Sequence, residues 1–336
     1  MIGIRVDVNK EIATGHIMRC MTIANKLKQS SEVLFITSEE GYKMLDSFGY
    51  QALMLNNHNN IEDELTDLHE IIMNKNINKL LVDSYSVTFD YLSYLNKLLK
   101  LIYIDDLNLF TYPVQMLINY SPIFADFKYQ DNYHADQRIK FLLGLKYVPL
   151  RDEFNENRKL NTNESVSSIF ISSGGADVCS FLNRIIPEIL TSPKIPSNIK
   201  IKVMSGKYVN QSAVFQSPRV MFYQNINNVA ELMSSCDIAI TACGTTLYEL
   251  CACQVPAISY IDADNQIYDA VYFSKHDWIP YVGDIRNNYE KCIYNILESI
   301  KTYSNNYELR KERASMLSAL VDGLGASRIA DAIRLL

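Results

Sequence analysis

The fold of this chain is decided by the stretch Ile12-Ala13-Thr14-Gly15-His16-Ile17-Met18-Arg19-Cys20, which joins a predicted strand to a predicted helix. Before it, the apolar residues Ile2, Ile4, Val6 and Val8 alternate with the period of a β-strand. After it, apolar residues recur with the 3.6-residue period of a helix. A strand, a glycine turn and a helix in this order predict an open α/β sheet, in which ligands bind beyond the carboxyl ends of the strands.

His16 lies in this turn, where an imidazole can act as an acid or a base near neutral pH. Gly15 precedes it, and Arg19 follows one helical turn later. The turn brings backbone N–H groups to the sheet edge, which suits an anion. Glycine turns before helices are also common without any chemistry, and a histidine there is often a capping or surface residue. The spacing alone therefore leaves a catalytic and a purely structural role for His16 open.

The alternation of strand and helix continues along both halves of the chain. In the first half, predicted strands end in Asp83, in Asp105-Asp106 and in Asn119. Parallel strands end at one edge, so these groups are expected to lie together, although strand ends are polar in many proteins. We predict domains over 1–151 and 167–322, a polar linker over 152–166, and a final helix within 323–336 that can cross back to the first domain.

The second half contains two glycine-rich turns between strand and helix. Ser173-Gly174-Gly175 follows one predicted strand, and Gly244-Thr245-Thr246 follows another. Backbone N–H groups and hydroxyls in such turns suit the diphosphate of a nucleotide. Neither turn is a P-loop, because no Gly-Lys-Ser/Thr follows, and neither has the GxGxxG pattern of dinucleotide sites. NTP hydrolysis and NAD binding are therefore disfavoured.

Composition narrows the class of protein. The 336 residues are 48% hydrophobic and 21% charged, which is typical of a globular protein with real cores. A formal net charge of −6 argues against general nucleic-acid or anionic-membrane binding. The start of the chain does not resemble a signal peptide, and no window is apolar for long enough to span a membrane. The seven cysteines predict reduced thiols in a cytoplasmic protein, and the close pair Cys251-Ala252-Cys253 lacks a histidine at metal-ligand spacing, so we expect no metal site.

An ordered set of short motifs runs from residue 2 to about residue 330. In the first half the motifs are Arg5-x-Asp7, Gly15-His16-x-x-Arg19-Cys20, Asp83-x-Tyr85, Asp105-Asp106, Asn119, Leu143-Gly144-x-x-Tyr147-x-Pro149-Leu150-Arg151 and Phe154. In the second half they are Ser173-Gly174-Gly175-x-Asp177, Gly244-Thr245-Thr246-x-x-Glu249, Asn265-Gln266 and Asp322-Gly323-x-Gly325-Ala326-x-Arg328. This set resembles the GT-B architecture of nucleotide-sugar enzymes, which has two Rossmann-like, doubly wound parallel-sheet domains and an interdomain cleft. Within that architecture it resembles the UDP-sugar hydrolases of pseudaminic acid (nonulosonic acid) biosynthesis and their spore-coat polysaccharide relatives.

The resemblance implies metal-independent, inverting hydrolysis of UDP-2,4-diacetamido-2,4,6-trideoxy-β-L-altrose to UDP and the free sugar, without a cofactor. His16 matches the family's general base, and Asp7, Asp83 and Tyr85 would assist it or line the sugar site. The implied substrate-binding residues comprise turn residues, hydroxyls and polar groups from both halves: Gly15, Arg19, Ser173, Gly174, Gly244, Thr245, Thr246, Glu249, Asn265 and Gln266.

Two positions depart from the family pattern. Ala13 stands where the turn usually has glycine, and Ser84 stands where histidine is frequent, which affects the preference for a sugar. Two other functions remain open: a GT-B glycosyltransferase with a UDP-sugar donor and a non-water acceptor, or a non-catalytic UDP-sugar-binding protein. The sequence leaves the oligomeric state and the exact sugar undetermined.

Overall fold

We describe the fold from a computed structural model of the chain. The structure describes residues 1–8, 15–56, 60–133, 139–173, 177, 179–205, 217–224 and 226–336, without the side chain of Asn265. The chain forms two compact units, one comprising Met1–Leu150 with Leu324–Leu336 and the other Arg151–Gly323.

The first unit is built on a parallel sheet of seven strands among the described residues, in the order β3-β2-β1-β4-β5-β6-β7. Buried apolar side chains on both faces of these strands are typical of a parallel sheet covered by helices. The strands are β1 (Ile2–Val6), β2 (Val33–Thr37), β3 (Ala52–Met54), β4 (Lys79–Asp83), β5 (Lys100–Ile104), β6 (Met116–Asn119) and β7 (Lys140–Leu143).

Helices cover both faces of this sheet. The first, α1, begins at Gly15 and buries the face formed by Ile17, Cys20, Ala24 and Leu27, as its periodicity predicts. The helices of the first unit are α1 (Gly15–Leu27), α2 (Glu39–Ser47), α3 (Leu65–Asn74), α4 (Phe89–Asn96) and α5 (Tyr129–Asn132), with 3₁₀ turns at Ile61–Glu64, Phe124–Phe127 and Leu145–Tyr147.

The strand β7 ends at Leu143. Gly144 has a φ of +89°, a conformation that glycine adopts at little cost, and a 3₁₀ turn follows. The strand ends there because a φ of +89° at Gly144 is incompatible with an extended strand.

The second unit repeats the plan with a parallel sheet of six strands among the described residues, in the order β10-β9-β8-β11-β12-β13. The strands are β8 (Ser168–Ser172), β9 (Lys200–Met204), β10 (Val220–Tyr223), β11 (Ile238–Ala242), β12 (Ala257–Ile261) and β13 (Tyr281–Asp284). The helices are α6 (Glu153–Glu156), α7 (Phe181–Thr191), α8 (Val229–Ser234), α9 (Thr245–Ala252), α10 (Ile267–Lys275), α11 (Tyr289–Asn305) and α12 (Tyr307–Leu320), with a 3₁₀ turn at Asp264–Gln266.

The last helix, α13 (Gly325–Arg334), belongs to the first unit. Its residues Ile329, Ala330 and Ile333 share a core with α1. At its start, a Cβ on Gly325 would lie 2.1 Å from the carbonyl oxygen of Val148, so only glycine permits this close approach.

The segment 152–166, expected from its polarity to be a linker, packs as part of the second unit. Phe154 is fully buried, and the Asp237 carboxylate accepts hydrogen bonds from Lys159 Nζ at 2.9 Å and Asn163 Nδ2 at 2.7 Å. These donors outweigh burial and lower the pKa of Asp237 to about 2. Lys159 and Asn163 of this segment therefore have a structural role, because they bind the Asp237 carboxylate.

Both sheets have the strand order of a doubly wound fold. Successive strands are first added on one side of the first strand, and later strands are added on its other side. This reversal lies between β1 and β4 in the first unit and between β8 and β11 in the second. Ligands of such sheets bind beyond the carboxyl ends of the strands at this point. Within the described ranges, no helix is long and apolar enough to cross a membrane.

Candidate functional site

The reversal point of the first sheet brings together groups predicted from the sequence. Asp7 follows β1, Asp83 ends β4, and His16 lies in the first turn of α1. The backbone N–H of Asp7 donates to the carbonyl oxygen of Asp83 at 3.1 Å. Gly15, the first residue of α1, is exposed, and among the described residues no atom lies within 4 Å of a Cβ placed there. Residues 9–14, which complete the quoted turn, lie outside the described residues.

His16 is buried against Asp83. Its Nδ1 lies 3.1 Å from Asp83 Oδ1, but the contact is not aligned as a hydrogen bond, and neither ring nitrogen has a hydrogen-bond partner among the residues that the structure describes. Burial lowers the pKa of His16 below its ordinary 6.5; the Asp83 carboxylate opposes this shift and the Arg19 guanidinium reinforces it. The imidazole is therefore neutral at pH 7 and can accept a proton.

Arg19 binds protein groups through all three of its side-chain nitrogens. Nε and Nη2 each donate to one oxygen of Asp83, both at 2.6 Å. Nη1 donates to Tyr120 Oη at 2.7 Å and lies 2.9 Å from Asp106 Oδ2. A buried guanidinium requires such carboxylates, because an unpaired charge is costly to bury. The guanidinium of Arg19, which is predicted from the sequence to bind the substrate, thus contacts both Asp83 and Asp106.

Tyr85 and Asp106 complete the surroundings of His16. The Tyr85 ring meets the imidazole edge to face, with ring centres 4.5 Å apart, and its hydroxyl donates to Asp106 Oδ2 at 2.9 Å. The sequence predicts Asp105-Asp106 at this sheet edge, but Asp106 is not among the predicted site residues. Its position directly after β5, at the same sheet edge, was the available signal.

Asp7 is held by a buried ion pair that the sequence did not predict. Arg5 donates to Asp7 Oδ1 through Nη1 at 2.6 Å and binds both oxygens of Glu64, at 2.7 and 2.8 Å. Tyr91 Oη also donates to Glu64, at 2.6 Å. Because Glu64 lies 59 residues from Arg5 in the chain, no local pattern identifies it. The network fixes the direction of the Asp7 carboxylate.

In the second unit, Gly244 leads into α9 at the end of β11. Among the residues that the structure describes, no side chain caps the start of α9, and no atom lies within 4 Å of a Cβ placed on Gly244. Thr245 is exposed and Thr246 is partly exposed in the first turn. Uncapped N–H groups, the helix dipole and two hydroxyls make this an environment that favours a phosphate.

Glu249 lies one turn further along α9. The residue is partly exposed, but burial of its carboxyl group raises its pKa from 4.5 to about 7; Arg151 opposes this shift and Glu153 reinforces it. A carboxylate in such a position gains from new hydrogen-bond donors such as hydroxyl groups.

The first glycine turn of this unit differs, because a protein carboxylate already caps the helix that follows it. Asp177 Oδ1 accepts the N–H of Phe181 at 2.8 Å at the start of α7. Ser173 is buried at the end of β8, beside Asp177. Gly174, also predicted to bind substrate, lies outside the described residues.

Gln266 is engaged within its own loop. Its Nε2 donates to Asp262 Oδ1 at 2.7 Å, and its Oε1 accepts the Asp262 N–H at 2.9 Å. These two bonds hold the turn after β12. The side chain of its predicted partner Asn265 is outside the description.

Over the described part of the chain, no group of three or more His, Cys, Asp or Glu residues is arranged to hold a metal ion. Cys251 and Cys253 are buried free thiols, and burial raises the pKa of both.

Solved structures share this architecture along the whole chain. MurG of Acinetobacter baumannii matches with a TM-score of 0.69 at 12% identity, covering 100% of this chain and 99% of MurG. The calicheamicin glycosyltransferase CalG4 matches with a TM-score of 0.66 at 11% identity, covering 99% of this chain and 97% of CalG4. The fold is GT-B. Within this GT-B chain, residues 168–323 match the glycosyltransferase family 28 C-terminal domain.

Curated relatives match the chain at 24–28% sequence identity. The spore coat polysaccharide biosynthesis protein SpsG of Bacillus subtilis is 25% identical over 341 residues, which cover 98% of this chain and 96% of SpsG. The Helicobacter pylori "pseudaminic acid cytidylyltransferase and UDP-2,4-diacetamido-2,4,6-trideoxy-beta-L-altropyranose hydrolase" is 28% identical over 149 residues, covering 42% of this chain and 25% of that protein.

The protein MJ1062 of Methanocaldococcus jannaschii, which has no assigned function in its name, is 24% identical over 273 residues, 76% of this chain. The match spans 54% of MJ1062, so the chain corresponds to about half of that relative. The GT-B chain is thus glycosyltransferase-like and has a distant relative named as a UDP-sugar hydrolase.

Proposed function

We propose that this protein hydrolyses a UDP-linked 2,4-diacetamido-2,4,6-trideoxy sugar, UDP-6-deoxy-AltdiNAc, to UDP and the free sugar, with inversion at C1, in a pseudaminic acid-type pathway. The observation that carries the proposal is the buried, neutral imidazole of His16, which lies against Asp83 at the carboxyl edge of the first sheet. The names of the Helicobacter pylori and Bacillus subtilis relatives support the substrate class and a role in polysaccharide biosynthesis.

In the proposed reaction, His16 acts as the general base on water. Asp83 beside Nδ1 favours the tautomer that carries its proton there, which leaves Nε2 to accept the proton of the attacking water. The water oxygen bonds to C1 from the face opposite UDP, and the C1–O bond breaks with its electron pair remaining on the diphosphate. The products are the sugar with inverted C1 and UDP.

Other residues of the first unit hold the sugar and the base in this proposal. Asp7, aimed by Arg5, accepts hydrogen bonds from the sugar's polar groups. Tyr85 offers its ring as a wall of the sugar site, because its hydroxyl is already bound to Asp106. Gly15 and Arg19, whose guanidinium is bound to Asp83, complete the predicted substrate contacts of this unit.

UDP is assigned to the second unit. Gly244, Thr245 and Thr246 supply N–H and O–H donors that stabilise the charge developing on the leaving diphosphate. Glu249 accepts hydrogen bonds from the ribose hydroxyls, which suits a carboxyl group whose pKa burial raises. The remaining predicted binding residues, which would complete the diphosphate and sugar contacts, are Ser173, Gly174, Asn265 and Gln266. With these donors, the proposed chemistry calls on no metal or cofactor.

The test is UDP release from a panel of UDP-sugars, with EDTA present, followed by NMR. The panel includes UDP-2,4-diacetamido-2,4,6-trideoxy-β-L-altrose and UDP-N-acetylglucosamine. We expect UDP and an inverted free sugar from the first, and a loss of at least about 10³-fold in kcat for His16→Asn. The exposed His276 supplies the matched control, because His276→Asn makes the same change away from β1 and β4. Undiminished turnover by His16→Asn would contradict the base assignment.

The same assay separates the second candidate, a glycosyltransferase with a non-water acceptor. Its support is the GT-B fold itself, which this chain shares with MurG and CalG4. A transferase would bind UDP and release little from any donor in water, then turn over when an acceptor is added. UDP binding without turnover under either condition would indicate a non-catalytic binding protein.

A further inference from the structure

A closed ring of contacts surrounds the imidazole of His16. We call the five residues His16, Asp83, Arg19, Asp106 and Tyr85 the His16 cage. Going round it, His16 Nδ1 lies 3.1 Å from Asp83, which is bound by two nitrogens of Arg19. Arg19 pairs with Asp106 at 2.9 Å, and Asp106 accepts the hydroxyl of Tyr85. The Tyr85 ring contacts the imidazole edge to face, which closes the ring of contacts.

The charges of the cage do not cancel. Arg19 binds Asp83 through two parallel hydrogen bonds, so its single positive charge is largely matched by that carboxylate. Asp106 adds a second carboxylate, and Arg19 and the Tyr85 hydroxyl hold the pKa of Asp106 below its ordinary value although burial opposes them. With a neutral imidazole, the cage therefore carries one net negative charge. It becomes neutral when His16 is protonated.

We propose that Asp106 is a positioning residue for the base: it holds Tyr85 against the imidazole ring and supplies the negative charge that balances the imidazolium once His16 has taken the proton from water. This inference rests on the proposed role of His16 as the base. It adds a residue that makes no contact with water or sugar in the proposed reaction, and it explains why one arginine is shared between two carboxylates.

Several groups besides Asp106 face the imidazole, and the Asp106 variants leave each of them unchanged. Asp7 follows β1, Asp83 and Tyr85 lie at the end of β4, and Arg19 comes from α1 itself. On the far side of Asp83, the thiol of Cys20 donates to Oδ2 at 3.3 Å, and Tyr120 binds Arg19. Of the described residues, Asp106 alone combines a negative charge with a hydrogen bond from Tyr85.

The test titrates His16 directly, so it does not depend on turnover. The chain has five histidines, and their ring ¹³Cε1–H signals can be followed by NMR from pH 5 to 8 in selectively labelled protein. The signal of His16 is the one absent from His16→Asn. The variants are Asp106→Asn, which removes the charge at nearly constant shape, Asp106→Ser as a second neutral replacement, Asp106→Glu, which keeps the charge, and Tyr85→Phe, which removes only the hydroxyl.

We expect Asp106→Asn and Asp106→Ser to lower the pKa of His16 by about one unit, because a nearby negative charge that favours the imidazolium is lost. Asp106→Glu and Tyr85→Phe should leave it within about 0.3 unit of the wild type, since the charge remains. In turnover, Asp106→Asn should lower kcat by about tenfold with KM changed less than about twofold.

An unchanged pKa in whichever neutral variants fold would overturn the proposal. A fall in Asp106→Glu as large as that in Asp106→Asn would also overturn it, because charge would then not be the cause. Failure of the proposed function looks different: the wild type would release no UDP from any UDP-sugar while the titration shifts persisted.

Discussion

Replacing Glu249 by glutamine should stabilise the protein and weaken its binding of UDP at the same time. The carboxyl group of Glu249 is buried in α9, where its pKa is raised to about 7 because the Arg151 guanidinium compensates its charge only in part. Glutamine has nearly the same shape and no charge. The substitution therefore removes a buried charge while keeping the packing of the helix.

The size of the gain follows from linkage between ionisation and folding. The pKa of Glu249 is about 7 in the folded chain against an ordinary 4.5, and this difference corresponds to about 3 kcal/mol. Because the folded-state pKa is the higher one, the folded state holds the proton more tightly, and stability falls as pH rises from 4.5 to 7. Glu249→Gln should therefore gain about 3 kcal/mol over the wild type at pH 8 and nearly nothing at pH 4.5.

Urea unfolding followed by tryptophan fluorescence measures this effect. The chain has a single tryptophan, Trp278, and it lies in the same unit as Glu249, so its emission reports the unfolding of that unit. With an m-value of about 2–3 kcal/mol/M, the urea midpoint should rise by roughly 1 M at pH 8. Glu312→Gln, a substitution at an exposed glutamate of α12, is the control and should leave the midpoint unchanged.

Calorimetric titration with UDP tests the other half of the prediction. Loss of charge-assisted hydrogen bonds to the ribose should raise the Kd for UDP by about 10- to 100-fold at pH 8. The reasoning is refuted if Glu249→Gln is no more stable than the wild type at pH 8, or if its gain is the same at pH 5 and pH 8. Unchanged UDP affinity would remove Glu249 from the proposed ribose site.

Three further outcomes are expected. Because burial lowers the pKa of His16, kcat/KM should be level from pH 7 to 8 and fall below that pKa by about tenfold per pH unit; rates that rise towards low pH would contradict the base role. Gly244→Ala should leave the urea midpoint unchanged, since its backbone is extended and the added Cβ meets no atom, yet raise the Kd for UDP by about tenfold or more by calorimetry. Glu64→Ala should lower the free energy of unfolding by about 3 kcal/mol, because Arg5 loses its buried partner. Urea unfolding followed by circular dichroism measures this loss, with Asp63→Ala at the exposed neighbouring residue as the control. Equal stability of the two variants would refute this account.

Much of the architecture could be predicted from the sequence. The alternation in Ile2–Val6 and the helical periodicity after Gly15 correctly predicted β1 and α1, and the polar ends of β4 and β5 correctly indicated a common sheet edge. Periods of 2.0 and 3.6 residues are local properties of the backbone, so a run of one element reveals them. The motif set similarly predicted the GT-B fold, which the solved structures share.

Local patterns do not identify the partners that burial and long-range pairing bring to a polar side chain. The segment 152–166 reads as a linker because it is polar, but those polar groups bind Asp237, which lies more than 70 residues away in the chain. Substrate binding by Arg19 stays a prediction, and no local pattern identifies Asp83, 64 residues away, which binds its guanidinium. In both cases the partner is determined by strand order.

The sequence by itself thus determined the elements, their order and the positions of His16 and Gly244 at strand-to-helix turns. Only the tertiary structure decided which side chains pair in the first unit: Asp106 with Arg19 and Tyr85, and Glu64 with Arg5. It also decided that His16 is neutral at pH 7 and that the pKa of Glu249 is near 7. The physical reason is that ionisation depends on the loss of water and on charges a few ångströms away. Both are properties of the packed molecule, and residues far apart in the chain contribute to them as well as sequence neighbours do.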